Sequence, residues 1–243
     1  MDANRKASLI GGLLWLTTFV ASIPAFFIFY APVLNEANYV LGAGEDARVA
    51  TGVVLEVVLI IANVGTALAL LPVLRRQNYA LAHGYVAARI MECVFIAAGI
   101  LAVLAVLGLR SQVADGSMPS DNAVSAAASS LVAVHDASFL LGPGLLVGVG
   151  NGLLLGYLMY RSGLVPRWMA TLALIAGPLV IASGILVLYS VIEPGSGVQA
   201  LMTAPEFVWE LSLGLYLTFK GYQTVPILTA GSTRTAEPVY AAV

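Results

Sequence analysis

Glu56, Arg89, Glu92, His135, Asp136, Glu206 and Glu210 lie within runs of residues that are otherwise almost wholly apolar. Such groups can hold or pass a proton, bind a cation, act as acid and base, or ligate a metal. A charge at the centre of a membrane helix costs roughly 2.5–3.5 kcal/mol on insertion scales, so these groups must turn from lipid and pair. Five of them are carboxylates and one is an arginine. That acid excess favours a proton, a cation or an amine-bearing molecule over an anionic ligand, because crowded carboxylates take up protons or cations.

Spacing sorts the set. Arg89 and Glu92 fall on one helix face, as do Glu206 and Glu210, since residues three or four apart are neighbours on a helix. Counted at 1.5 Å per residue, Arg89, Glu92 and Glu210 meet near mid-bilayer, so a contact of Arg89 with Glu210 or Glu206 is allowed. Glu56, His135 and Asp136 belong nearer the outer face. Together they predict an outward-opening polar cleft with Arg89 and Glu92 at its floor, and Asn63 and Asn151 extend polar contacts inward.

Three functions fit this pattern. The first is binding or transport of a proton, cation or amine through all seven residues. The second is a membrane enzyme acting on a lipid or isoprenoid, with Glu92, His135 or Glu210 as acid and base. The third is an accessory subunit that packs through a helix face. A helix-locking ion pair at Arg89 and Glu92 explains balanced charge but not the excess of acids. His135 and Asp136 with Glu56, Glu206 and Glu210 are ligand types for a divalent ion, but a lone histidine among carboxylates reads first as a hydrogen-bonded patch, and no metal or cofactor is expected. Ser138 near His135 and Asp136 points away from them on a helix. No P-loop, dinucleotide, HExxH, EF-hand or G-x-S-x-G pattern is present. The basic residues are few and scattered, which excludes nucleic acid as a partner.

The elements that carry these residues are membrane helices. The 243 residues are 60% hydrophobic and 10% charged, against about 25% charged in a soluble domain. Six apolar runs, near Ala7–Tyr30, Thr51–Leu71, Ala82–Leu109, Val132–Tyr160, Trp168–Ile192 and Gln199–Phe219, meet the ~20 residues needed to span a bilayer. In lipid the backbone must satisfy itself, so they are helices, and the runs lack the alternation of a barrel. The predicted fold is all-α, a six-helix bundle over residues 1–222 with a mobile cytoplasmic tail over 223–243. The first run follows Arg5 and Lys6 and lacks a clean cleavage site, so it reads as a retained helix.

Orientation follows from basic residues. With the N-terminus inside, Arg5, Lys6, Arg75, Arg76, Arg161, Arg167, Lys220 and Arg234 are cytoplasmic, and only Arg48 and Arg110 lie outside. This bias predicts both termini at the cytoplasmic face. The outer loops carry Glu36, Glu45, Asp46, Asp115, Asp121 and Glu193, a solvated surface or a cation-concentrating entrance. Ser120 or Asp121 is expected to cap a helix starting near Asn122.

Gly144, Gly148, Gly152 and Gly156 recur every fourth residue, a face for close helix approach. It serves packing within the chain or a partner helix or second copy. Gly142-Pro143-Gly144, Pro24 and Pro178 are expected to kink their helices. The lone Cys93 excludes an intrachain disulfide.

The strings Arg89-Ile-Met-Glu92, Tyr160-Arg-Ser-Gly-Leu-Val-Pro-Arg-Trp168 and Pro205-Glu-Phe-Val-Trp-Glu210, with Lys220-Gly221, resemble a bacterial family of six-helix membrane proteins catalogued as domain of unknown function 4386. The resemblance runs from about Arg5 to Tyr222. It implies a multi-pass protein of the bacterial cytoplasmic (inner) membrane and carries no catalytic assignment.

Overall fold

The computed structural model describes residues 1–36, 39–42, 45–117 and 121–229. All regular structure among them is helical. Helix α1 spans Ala3–Pro24 and continues as a π-helical turn, Ala25–Phe29. A short α2, Ala31–Asn35, precedes α3, Asp46–Gln77, and α4, Tyr79–Ala114. Then α5, Asp121–Leu141, passes through π-helical stretches Gly142–Leu146 and Gly148–Leu155 into α6, Gly156–Ser162. The bundle closes with α7, Arg167–Leu188, α8, Gly197–Phe219, and a single turn α9, Pro226–Thr229.

Among the described residues, five helices are long and apolar enough to cross a membrane: Ala3–Phe29, Asp46–Gln77, Tyr79–Ala114, Asp121–Ser162 and Arg167–Leu188. Their outward faces leave large apolar side chains exposed, including Val20, Phe27, Val54, Ile61 and Leu101. In water such a surface would drive aggregation; against acyl chains it is the matched solvent. The chain is therefore a multi-pass membrane protein in contact with lipid.

The fourth span is longer than the apolar run predicted, because Asp121–Ser162 is one continuous helix of 42 residues. It begins at Asp121, and Ser120 lies outside the described residues. The two π-helical stretches fall where Gly142-Pro143-Gly144 and the following glycines weaken the normal ladder, since proline lacks the N–H and glycine adds backbone freedom. The turn after Pro24 has the same origin.

One end of the bundle is basic. Arg5 at the start of α1 donates to the carbonyls of Leu217 at 2.9 Å and Thr218 at 2.8 Å, the last turn of α8. A cation there satisfies orphan carbonyls and meets the negative end of the helix dipole. The start of α1 and the end of α8 thus share one end with Arg75, Arg76, Arg161 and Arg167. Gly221, with φ +83°, turns the chain there. The Gln223 N–H then donates to the Leu164 carbonyl at 2.8 Å. Val225, Ile227 and Leu228 pack on the core. The segment expected as a tail is described only through Thr229; residues 230–243, with Arg234, lie outside the described residues.

The opposite end is acidic. There Arg110 pairs with Asp46 at 2.6 Å and donates to the Tyr39 carbonyl at 2.8 Å. Tyr39 donates to Asp46 at 2.9 Å. Burial first, and this hydrogen bond second, hold the Tyr39 phenol above its ordinary range, against the opposing charge of Arg110.

The glycine face is used inside the chain. A Cβ on Gly148 would stand 2.7 Å from the Gly177 carbonyl oxygen, and one on Gly156 2.7 Å from the Ala173 Cβ. Gly152 lies directly against the Gly177 backbone, beside the Pro178 break in α7. Gly144 lends its carbonyl to the contact with Gly184. Of the two uses weighed for this face, packing within the chain is the one observed, and α7 covers it.

Candidate functional site

The deep group assembles from five segments of the bundle. On α4, Arg89 and Glu92 are both buried and pair at 2.6 Å, as their spacing predicts. From α3, Asn63 accepts a hydrogen bond from Arg89 and donates to Glu92 at 3.5 Å, closing a three-residue ring. Trp15 of α1 stacks over the guanidinium, with the Arg89 Cζ 5.8 Å from the ring centre. A cation over an indole face is attracted by the ring quadrupole. The Arg89 Nε–H has no acceptor within the protein.

On α8, Glu206 and Glu210 turn toward this ring. Both lie within electrostatic reach of Arg89 and Glu92. Arg89 hydrogen-bonds to neither; the allowed contact to Glu210 is not made, and the guanidinium donates to Glu92 and Asn63 instead. Glu210 instead accepts from the Asn151 amide. Asn151 stands in the π-helical stretch Gly148–Leu155, whose turn is wider than that of an α-helix. Asn63 and Asn151 therefore belong to the deep group itself.

Glu206 differs from its neighbour. It is 4% exposed, yet neither carboxylate oxygen makes a hydrogen bond within the protein. It lies against the glycine crossing, where a Cβ on Gly152 would be 3.2 Å from its Oε2. The Asn151 Oδ1 and the Trp209 indole N–H, both buried, are likewise unpartnered. An ionised carboxylate so placed is expensive without a cation or proton.

The outer group is separate. Tyr30 donates to Glu56 at 2.9 Å, and its ring meets the His135 ring edge-on at 5.7 Å between centres. Phe26 stacks on His135 and on Phe139. His135 is buried by Gly99 of α4, whose missing side chain makes room for it: a Cβ there would lie 3.3 Å from its Cδ2. Asp136 does not join them. Its side chain is 65% exposed and reaches His135 only sideways, at 3.3 Å. The adjacent residue on a helix faces about 100° away, so His135 and Asp136 cannot both point inward.

An apolar layer of Ala21, Leu59, Ile96 and Ile100 lies between the two groups. The expected single cleft is therefore two polar layers. Two open grooves lie elsewhere. One of about 560 Å³ runs between α4 and α5 past Ala105, Gly108 and Ala127. Another of about 270 Å³ lies near Glu36, Tyr39 and Ser129 at the acidic end. Among the described residues, no three His, Cys, Asp or Glu side chains converge as a metal site.

Spacing could not reveal the partners Trp15 and Tyr30. They sit in apolar runs with no local signal, and only helix packing brings them to the charged groups. Neither a curated protein nor a solved structure matches the chain. The model of a family described as a domain of unknown function (DUF4386) matches residues 10–221, most of the chain, and the chain belongs to that family.

Proposed function

We propose that the protein binds a proton or small cation at Glu206 and Glu210, within the bilayer, as part of a binding or transport cycle. In this reading α8 is a sixth span, both termini face the cytoplasm by the positive-inside bias, and the membrane is the bacterial inner membrane. The observation that carries it is Glu206, a buried carboxyl without a hydrogen-bond donor. Arg89 supports the site as a fixed positive charge already committed to Glu92, and Asn151 orients Glu210. The tight crossing of Gly152 and Gly177 beside Glu206 favours a proton or monatomic cation over a bulkier amine.

Lipid acid-base chemistry finds less support, since the grooves and the deep carboxyls are apart. An accessory role through the glycine face finds little, since α7 covers that face.

Infrared difference spectroscopy on the full chain in nanodiscs tests the proposal, with pH, sodium or methylammonium varied. A carboxyl band that responds to pH or sodium and disappears in Glu206→Gln is expected. If no responding band belongs to Glu206 or Glu210, the proposal fails.

A further inference from the structure

Both directions out of the deep group pass apolar side chains, and they differ in whether the tyrosine hydroxyls among them have partners. Toward the acidic end lie Leu59, Ile96 and Ile100, and beyond the outer group a second apolar cluster of Val33, Val49, Val103, Val106 and Val124 around Tyr30. Toward the basic end lies another apolar cluster, with Leu70, Leu74, Leu155, Leu158 and Leu213, and within or against it stand two hydroxyls without a partner, those of Tyr85 and Tyr222. Tyr85 lies one turn from Arg89 on the same face of α4 and is fully buried, and its hydroxyl makes no hydrogen bond within the protein. It stands within electrostatic reach of both Arg89 and Glu210. Tyr222, just past the end of α8, is within reach of Tyr85 in turn. Its hydroxyl is also unpartnered, while the residue itself is only partly buried.

An unsatisfied buried polar group is destabilising, whereas the same group touched by water costs little. By helix rise, Tyr85 is roughly 10 Å from the basic end of α4, a distance that a few water molecules bridge. We propose that Tyr85 and Tyr222 form the route by which protons pass between Glu206 and Glu210 and the basic end, along a short file of water. The route rests on the proton-binding reading above. Each hydroxyl accepts a proton on its oxygen lone pair and releases its own to the next oxygen, so no net charge stays on the phenol.

The groups facing this route come from every helix around it. Arg89, Glu92 and Cys93 of α4 and Asn63 of α3 line its inner end, with Trp15 of α1. Glu206, Trp209 and Glu210 of α8 face them, with Asn151 beside. Arg5 lies at the mouth against Gly221. Beyond Arg167, α7 has no ionisable side chain.

The full chain in sealed vesicles of determined orientation allows a pH jump on one side, read by the Glu206 and Glu210 carboxyl band over time. The band should respond faster when the jump is applied at the basic end. Tyr85→Phe and Tyr222→Phe should each slow it by about tenfold, a barrier increase of about 1.4 kcal/mol, without moving the titration midpoint. Equal speed from the acidic end overturns the route, and so do unslowed variants whose band still titrates, leaving the proton site itself intact. A chain with no titrating carboxyl band overturns both. Tyr222 stands at the edge of the bundle, so its variant serves if Tyr85→Phe fails to fold.

Discussion

Arg89 and Glu92, one turn apart on α4, are joined at 2.6 Å inside the bundle, and the pair uses the charge that Glu206 and Glu210 would otherwise share. The two partners are consequently unequal. Removing Glu92 leaves Arg89 facing two other carboxylates, while removing Arg89 leaves three carboxylates and no cation.

Arg89→Met should therefore destabilise far more than Glu92→Gln. Leaving a buried charge without its partner costs about 3–5 kcal/mol, whereas Glu92→Gln keeps a hydrogen-bonding oxygen and should cost about 1 kcal/mol. The double replacement Arg89→Met with Glu206→Gln should recover part of the loss, because the excess negative charge falls. Unfolding by detergent titration in bicelles measures all three. Equal losses for the two single variants would contradict the shared-cation arrangement.

Much of this was legible before any coordinates. Five of the six apolar runs correspond to helices able to cross a membrane, with ends displaced where polar helix turns extend past the lipid core, as at Asp46 and Gln77 of α3. The pairing of Arg89 with Glu92 is local to one helix, so spacing alone reached it. The contact chosen by Glu210 was not legible, because its donor, Asn151, stands on another helix, in a π-helical stretch. That Asp136 lies outside the buried group was not legible for a related reason: hydropathy places a residue along a helix but not around it. Tyr30 and Trp15 were missed because an aromatic ring in an apolar run reads as packing until a charge is seen beside it.

The glycine crossing gives a sharp contrast between sites. A Cβ on Gly152 would stand 2.8 Å from the Gly177 backbone nitrogen, and the atoms nearest to it are backbone, which cannot swing aside as a side-chain end can. Gly152→Ala should force α7 away from the π-helical stretch and destabilise by about 1–3 kcal/mol, while disturbing Glu206 beside it. Gly108 on α4 has nothing within 4 Å of an added Cβ. Gly108→Ala should be neutral or stabilise by up to about 1 kcal/mol through helix propensity. Thermal melting of both variants in detergent checks the pair, and a Gly152→Ala protein as stable as wild type would mean the crossing is looser than described.

Alkaline stability should report on the phenols at the two ends. Burial is the first cause that holds Tyr39 and Tyr222 above the ordinary tyrosine range, followed by the Asp46 hydrogen bond for Tyr39 and the neighbouring Tyr85 for Tyr222. A folded-state value raised above the unfolded one means that the folded protein keeps protons that the unfolded chain releases. That contribution is complete below about pH 10, where unfolded tyrosine is still neutral, and it is lost as pH rises further. Stability should therefore fall on the alkaline side. Tyr39→Phe and Tyr222→Phe should each flatten the fall, Tyr222→Phe without breaking any hydrogen bond within the protein, since its hydroxyl makes none. Melting temperatures collected from neutral to strongly alkaline pH decide it; an unchanged alkaline slope in both variants would show that neither phenol contributes.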